Sequence, residues 1–298
     1  MSTQPPREDP RPSPAGHVAG RAAGLAMVAV AAASWGTWSL FLRPTHLPAT
    51  VTTPVVFIVM TLAALPVALR GPRIRWDRTI VGLIVANTLF DALNIVAFFA
   101  AIEHTTIAIA VLTHYLAPIL IALAAPRIDG VTTRGARPAA AVALAGLVII
   151  LEPWHDLAQG AALGALLGAA SAVCYAGNVF VVRRLAARIG ASRALAYHCA
   201  LAALGLAPLL AGHTAELTPH HLALLIAGGV TIGAASGIVF ALGLLRIGSA
   251  RAAVLTFLEP IVAVAVGVLV WDEPLHPIAL LGAVLVLGAG LEVARKAR

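Results

Sequence analysis

Long apolar stretches alternate with short polar connections along almost the whole chain. A helix that crosses a bilayer takes about 20 apolar residues at about 1.5 Å each. Ten such stretches can be drawn, at residues 22–43, 51–70, 79–101, 105–126, 137–152, 160–182, 193–211, 222–245, 249–271 and 275–294. The pattern predicts an all-α integral membrane protein with ten transmembrane helices.

The basic residues fall almost entirely into alternate connections. All lysines and arginines except Arg43 lie near the two termini or in the second, fourth, sixth and eighth connections. The other connections carry acids instead: Glu103, Glu152, Asp156, Glu216, Asp272 and Glu273. Because basic loops stay on the cytoplasmic side, this alternation predicts a multi-pass cell-membrane protein with both termini in the cytoplasm and an even number of spans.

The chain also contains an internal repeat. Pro118 and Pro260, each in the middle of a span, are separated by the same number of residues as Pro66 and Pro208. The runs VLTHYLAP and VLTFLEP surround the first pair. Since one repeat holds five spans, its two copies must enter the membrane in opposite directions, as in many secondary transporters. The predicted parts are a disordered cytoplasmic tail and two inverted five-helix repeats, at 1–20, 21–153 and 154–298.

Composition restricts the function further. The chain is 60% hydrophobic and only 11% charged, against about 25% charged in soluble domains. The short loops leave no room for a soluble catalytic domain, which argues against an enzyme. A formal charge of +7 does not indicate nucleic-acid binding, because the basic residues are scattered. Neither metal-ligand spacing nor a cofactor motif is present, and Cys174 and Cys199 resemble core residues.

A polar stripe lies inside the third span. Asn87, Asp91 and Asn94 have i, i+4, i+7 spacing, which places them on one helix face. An acid at the bilayer centre is costly and is expected to face the bundle interior or a water-filled cavity. The stripe therefore suits a solute path, and Asp91 could also carry a coupled proton. The alternative is that these side chains only hold neighbouring helices together.

A second acid, Glu259, lies in the ninth span directly before Pro260. Proline frees a backbone carbonyl and kinks a helix, and Pro118 occupies the corresponding place in the fourth span. Kinks at corresponding positions of two inverted repeats predict hinges or a cavity lining. Glu259 could equally pair with freed backbone groups or with a neighbouring helix.

The remaining candidates for a solute-binding site are aromatic, imidazole and amide side chains near the middle of their spans: Trp35, His114, Tyr115, Tyr175, Asn178 and His198. Aromatic rings near a cavity could stack on an organic solute. The competing interpretations are an interfacial aromatic belt and, for the histidines, a hydrogen-bonded packing role.

Taken together, these residues resemble the EamA-type branch of the drug/metabolite transporter superfamily over residues 22–294. The resemblance rests on Trp35-Gly36, Pro118, Arg183-Arg184-Leu185 and the closing stretch VLTFLEPIVAVAVGVLVWDEPLHPIALLGAVLVLGAGL. It implies ten helices in two tandem repeats. It also implies alternating-access movement of small metabolites, often outward, such as amino acids, their derivatives or toxic organic compounds.

Four hypotheses follow for the function. The first is an exporter of a small organic solute, with proton coupling as a further hypothesis and with solute and membrane lipid as its partners. The second is an importer or facilitator of the same fold. An integral membrane enzyme acting on lipid-linked substrates would need clustered catalytic residues at one interface. A membrane scaffold would need neither the polar stripe nor the inverted repeat.

Overall fold

A computed structural model describes residues 14–70, 73–130, 133–154, 161–274 and 276–296, and all regular structure within these ranges is helical. The α-helices are Pro14–Trp35, Ser39–Leu42, Ala49–Leu69, Arg78–His104, Ile107–His114, Ala117–Ile128, Ala136–Leu151, Ala161–Ile189, Ala191–Leu206, Pro219–Gly228, Ser236–Ile247, Ser249–Leu255, Leu258–Trp271 and Ile278–Arg295. A π-helical turn, Gly229–Ala235, joins two of them, and short 3₁₀ turns occupy Arg43–Thr45, Ala207–Leu210 and Thr214–Glu216.

These helices combine into ten apolar segments, numbered here α1 to α10. Eight are long and apolar enough to cross a membrane: α1 Gly20–Thr45, α2 Ala49–Leu69, α3 Arg78–Ile102, α4 Ile107–Ile128, α6 Ala162–Ile189, α7 Ala191–Leu210, α8 Pro219–Ile247 and α9 Ser249–Trp271. The other two, α5 Ala136–Leu151 and α10 Ile278–Val293, are shorter. All ten lie where the sequence predicts apolar helices.

The all-helical membrane architecture is therefore confirmed, whereas the count of ten complete spans remains a prediction. The 16 residues of α5 extend about 24 Å at 1.5 Å per residue, which is less than the ~30 Å hydrocarbon core of a typical bilayer. The helix of α10 continues to Arg295 and has 18 residues. The inverted relation of the two halves likewise remains a prediction.

The N-terminal helix starts earlier than expected. It begins at Pro14, inside the segment 1–20 for which the sequence predicts a disordered tail. Proline suits the first position of a helix because its φ angle is already helical and its missing N–H is not needed there. Residues 1–13 of that predicted tail, and Asp156 in the connection before α6, lie outside the described residues.

The segments pack in matched pairs. The most extensive contacts join α3 with α6, α8 with α1, α2 with α7 and α5 with α10, and α4 also packs on α9. The pair α5 and α10 is especially close, because a Cβ atom on Gly146 would lie 2.6 Å from the carbonyl oxygen of Gly282. The other segments surround a central space.

The outer face of α3 meets the lipid and its inner face meets the bundle. Four apolar side chains on the outer face are between 41% and 57% exposed: Val85, Leu89, Leu93 and Val96. Asn87, on the inner face of the same helix, is completely buried. The polar stripe predicted from the sequence therefore turns away from lipid, as the cost of an acid in hydrocarbon requires.

Candidate functional site

A cavity of about 450 Å³ lies inside the bundle, between all of the segments except α5 and α10. Nine of the ten side chains predicted to form a solute site line it: Trp35, Asn87, Asp91, Asn94, His114, Tyr175, Asn178, His198 and Glu259. Tyr115 is buried beside the cavity against Phe257, with ring centroids 5.6 Å apart. The structure thus brings the predicted residues together, and a solute-binding role for them remains a prediction.

Asp91 forms the centre of the polar lining. Its Oδ1 accepts a hydrogen bond from Asn178 Nδ2 on α6 at 2.9 Å, and its Oδ2 lies 3.3 Å from His198 Nε2 on α7. The side chain of Asp91 is 19% exposed and that of His198 is 7% exposed. The carboxyl group of Asp91 therefore links α3, α6 and α7 and remains partly exposed to the cavity.

The orientation of His198 determines how many protons this pair holds. His198 Nδ1 lies 2.9 Å from the carbonyl oxygen of Ala194, and a carbonyl oxygen only accepts hydrogen bonds, so Nδ1 carries a hydrogen. A hydrogen bond between Nε2 and Asp91 then needs one further proton, on either the imidazole or the carboxyl. The hydrogen bond between Asp91 and His198 therefore contains one hydrogen, and His198 Nε2 also lies 3.6 Å from Cys199 Sγ.

A second chain of hydrogen bonds links three other side chains. Ser171 Oγ donates to Asn94 Oδ1 at 2.7 Å and lies 2.8 Å from His114 Nδ1. Since the Ser171 hydrogen is used on Asn94, its oxygen accepts from His114 Nδ1–H. The chain holds the amide of α3 and the imidazole of α4 in fixed orientations on the cavity wall.

Sequence reasoning missed Ser171, although a signal existed. The residue is completely buried on α6, and a small hydroxyl side chain in an apolar helix attracts little attention by itself. Its spacing is the signal, because Ser171 follows Gly168 by three residues and precedes Tyr175 and Asn178 by four and seven. All four residues therefore share one face of α6.

Asn87 is a polar residue without a polar partner. Its side chain is 0% exposed, it lines the cavity, and within the described residues neither Nδ2 nor Oδ1 has a hydrogen-bonding partner. The same is true of Asn178 Oδ1. Buried polar atoms are nearly always paired, and leaving one unpaired costs about 1–3 kcal/mol. These atoms therefore have unused hydrogen-bonding capacity at the wall of the cavity.

Aromatic rings form much of the remaining wall. Trp35 packs on Phe240 with ring centroids 4.9 Å apart, and His114 packs on Phe98 at 4.9 Å and on Tyr175 at 5.4 Å. Phe98 and Phe240 were not predicted, because a phenylalanine in an apolar helix cannot be distinguished from a core or lipid-facing residue by sequence alone.

The second acid, Glu259, is placed by a close contact between α1 and α9. The helix of α1 ends at Trp35, and a Cβ atom on Gly36 would lie 2.7 Å from Val262 Cβ, so only glycine fits there. Glu259 interacts with Tyr115 and Tyr175. It is half-buried and, like Asp91, lines the cavity.

Both predicted hinge prolines follow a break in their helix. In α4 the helix Ile107–His114 ends before a new one, Ala117–Ile128, begins. In α9 the helix Ser249–Leu255 is followed by Leu258–Trp271. Pro118 and Pro260 are buried near the starts of the second helices, where the missing N–H is tolerated. Movement at these breaks remains a prediction.

Within the described ranges, the lining contains two acids and two histidines. Among the described residues, no lysine or arginine lines the cavity. Arginines instead bind partners at the ends of the helices: Arg183 pairs with Asp129 at 3.1 Å, Arg43 with Glu273 at 2.7 Å, and Arg193 donates to the carbonyl oxygen of Ala68 at 2.8 Å.

The described part of the chain holds no group of three or more His, Cys, Asp or Glu side chains that could bind a metal ion. Cys174 and Cys199 are both free thiols, and Cys199 is buried. The polar groups that the described residues contribute to the cavity lining are carboxyl, amide, imidazole, indole, phenol and hydroxyl groups.

Comparison with known proteins agrees with this arrangement. The sequence profile of the EamA-like transporter family matches residues 162–291. An uncharacterized transporter of Archaeoglobus fulgidus is 30% identical over 278 residues, which is 91% of this chain and 96% of the relative. The chain belongs to the EamA-like transporter family. The EamA-type membership predicted from the sequence is thus confirmed, and it fits the drug/metabolite transporter superfamily.

The fold of this EamA-like transporter also has a counterpart of known structure. A protein with a solved crystal structure aligns with a TM-score of 0.77 over 91% of this chain and 98% of its own length. Its sequence is 21% identical, so the likeness concerns the fold alone. The family evidence supports a transporter with a small-molecule solute in a lipid environment.

Proposed function

We propose that this EamA-like transporter is a secondary exporter of a small organic metabolite, such as an amino acid, an amino-acid derivative or a drug-like compound. One observation carries the proposal. Asp91, at the middle of α3, faces a cavity and bonds to two other helices instead of lying against lipid. The cavity volume of about 450 Å³ is in the usual range of small-molecule sites, about 300–1,000 Å³.

The proposed architecture consists of two inverted five-helix repeats, residues 21–153 and 154–298. Packing supports it, because exchanging each segment with the one five places along the chain converts the contact of α3 with α6 into that of α8 with α1. The same exchange leaves the pairs α2–α7, α4–α9 and α5–α10 unchanged. The alternating charge of the loops supports a cell-membrane protein with both termini in the cytoplasm.

In this proposal the cavity opens to one side of the membrane at a time. The helix breaks before Pro118 and Pro260 supply hinges in α4 and α9, and the cavity-lining residues form the path. Solutes reach Asp91 from either side as the two halves rock around the site, the usual arrangement in inverted-repeat transporters.

Proton coupling belongs to the same proposal. The pair of Asp91 and His198 has a place for one proton, and solute binding at Asp91 would change whether that proton stays. Efflux of the solute would then be driven by protons moving inward.

The test is flux in proteoliposomes. Vesicles loaded with a panel of labelled amino acids, amines and aromatic compounds are diluted into buffer of equal or lower pH. We expect protein-dependent efflux that accelerates when the outside is acidic. His198→Gln should keep downhill efflux and lose the acceleration, whereas His220→Gln, an exposed residue outside the cavity, should behave like the unchanged protein.

Three outcomes would count against the proposal. No protein-dependent movement across the whole panel would overturn transport itself. An equal response of the unchanged protein and His198→Gln to the pH gradient would overturn coupling at this pair. Accumulation of the solute by intact cells, in place of efflux, would establish the importer of the same fold.

A further inference from the structure

The cavity combines two acids with no fixed cation. Asp91 on α3 and Glu259 on α9 both line it, and within the described residues no lysine or arginine reaches the lining. Resting on the transport function proposed above, we infer that the solute is a small organic amine that carries a positive charge.

Electrostatics favours a cation here over an anion. A carboxylate or phosphate in the cavity would face two carboxyl groups without a guanidinium or ammonium partner. When both carboxyl groups are ionised, this repulsion is stronger in a partly buried site than in bulk water. The arginines that could have served an anion are held at the helix ends, as in the pair of Arg183 with Asp129 at 3.1 Å.

The unpaired amide oxygens in the cavity favour a cation that can donate hydrogen bonds. Asn178 Oδ1 and Asn87 Oδ1 are hydrogen-bond acceptors without partners among the described residues, and Asn178 itself donates to Asp91. A protonated amine offers N–H donors to such oxygens and to the carboxylate, whereas a quaternary ammonium offers none. Asn87 Nδ2 is also unpaired, so this amide offers a hydrogen-bond donor as well as an acceptor.

Aromatic walls suit the rest of such a molecule. Trp35, Phe98, Tyr175 and Phe240 line the cavity. A cation above an aromatic face is attracted to the ring quadrupole, most strongly when it is desolvated. The same rings provide an apolar surface for the carbon skeleton of the amine.

The proton shared by Asp91 and His198 affects how strongly the cavity binds an amine. With that one proton the pair is neutral, so it neither repels an arriving ammonium nor holds it strongly. Loss of the proton leaves a carboxylate, and the ammonium can then take over the balancing positive charge. Amine and proton therefore compete for one carboxyl group.

The test uses four probes with one phenyl skeleton and different charge: 2-phenylethylamine, 2-phenylethanol, 3-phenylpropanoate and phenethyltrimethylammonium. Binding to the purified full-length protein is measured by calorimetry and by thermal stabilisation. Flux is measured in proteoliposomes against protein-free vesicles. We expect the amine to bind at least about tenfold more tightly than the alcohol, which is the size of a single charge-assisted contact, and the carboxylate not to bind.

Variants locate the effect. Asp91→Asn should reduce the preference for the amine over the alcohol to near unity, while Glu273→Gln, which alters an exposed acid paired with Arg43 outside the cavity, should keep it. Thermal unfolding of both variants establishes that they are folded. If Asp91→Asn does not fold, the charge series on the unchanged protein still decides the matter.

Each result has a clear meaning. Equal binding of alcohol and amine, or preference for the carboxylate, would overturn the amine assignment while leaving transport of another solute intact. Binding of the quaternary probe as tightly as the amine would overturn the role of the unpaired amide oxygens. Absence of flux for every solute in the wider panel would instead defeat the transport function on which the inference rests.

Discussion

The helices α3 and α8 occupy corresponding places in the two proposed repeats, yet they meet the cavity with opposite chemistry. On α3 the inner face carries Asn87, Asp91 and Asn94, whereas α8 presents Gly233 and Gly237 to the same space. The α8 helix widens into the π-helical turn Gly229–Ala235, a feature frequent at functional sites. In the two proposed repeats, corresponding helices thus have corresponding packing partners, while the polar groups concentrate on α3.

The largest expected effect on stability comes from filling a glycine position on α8. A Cβ atom on Gly229 would lie 2.6 Å from Val59 Cγ1, a stiff branched side chain on α2. We expect Gly229→Leu to destabilise the protein by about 1–3 kcal/mol through overpacking, measured as thermal unfolding in detergent. The matched control is Gly82→Leu on α3, where nothing lies within 4 Å. Equal stability of the two variants would contradict close packing of α8.

Two substitutions on α3 test the role of its polar face. Asn87→Leu removes an unpaired buried amide and should raise stability by about 1 kcal/mol, because that amide is desolvated without compensation. Asn94→Leu breaks the bond from Ser171 and should lower stability by a similar amount. Both should weaken solute binding. Thermal unfolding and binding measured together check this, and a loss of stability in both variants would show that Asn87 has a structural partner.

The smallest expected effect lies one helix away. Ser171→Ala deletes the link between Asn94 and His114 and should cost about 0.5–1.5 kcal/mol of stability, with a modest loss of flux. Thr61→Val serves as the control, since its hydroxyl donates only to the carbonyl oxygen of Phe57 in its own helix. If the two variants lose flux to the same extent, the hydrogen-bonded chain on α6 has no special role.

Much of the fold was accessible from the sequence because lipid imposes a simple rule. A stretch of apolar residues long enough to cross the bilayer has to be helical, so the ten segments fall where hydropathy predicts them. The ends depend on local backbone chemistry instead. The helix start at Pro14 could not be derived from hydropathy, which measures composition and not hydrogen bonding. The shortness of α5, by contrast, matches the short apolar stretch predicted at 137–152.

The site was predictable for the opposite reason: polar side chains are rare in an apolar bundle. Asp91 and Glu259 stand out in any reading of the spans, and the cavity contains both. Their partners were harder to predict. The bond from Asn178 to Asp91 joins residues on different helices, and such pairings depend on rotations that one sequence does not encode visibly. Phenylalanines such as Phe240 could not be predicted, because they resemble the apolar residues around them in the sequence.

The hydrogen bond from His198 to the carbonyl of Ala194 also has an electrical consequence. Because one imidazole nitrogen is committed to the backbone, the proton coupling proposed at the pair with Asp91 would involve a single proton. If one ammonium leaves for each proton that enters, the cycle moves no net charge across the membrane. A membrane potential acts on a transferred charge with about 2.3 kcal/mol per 100 mV, so it would then neither drive nor oppose transport. Of the two components of the proton gradient, only the pH difference would drive efflux.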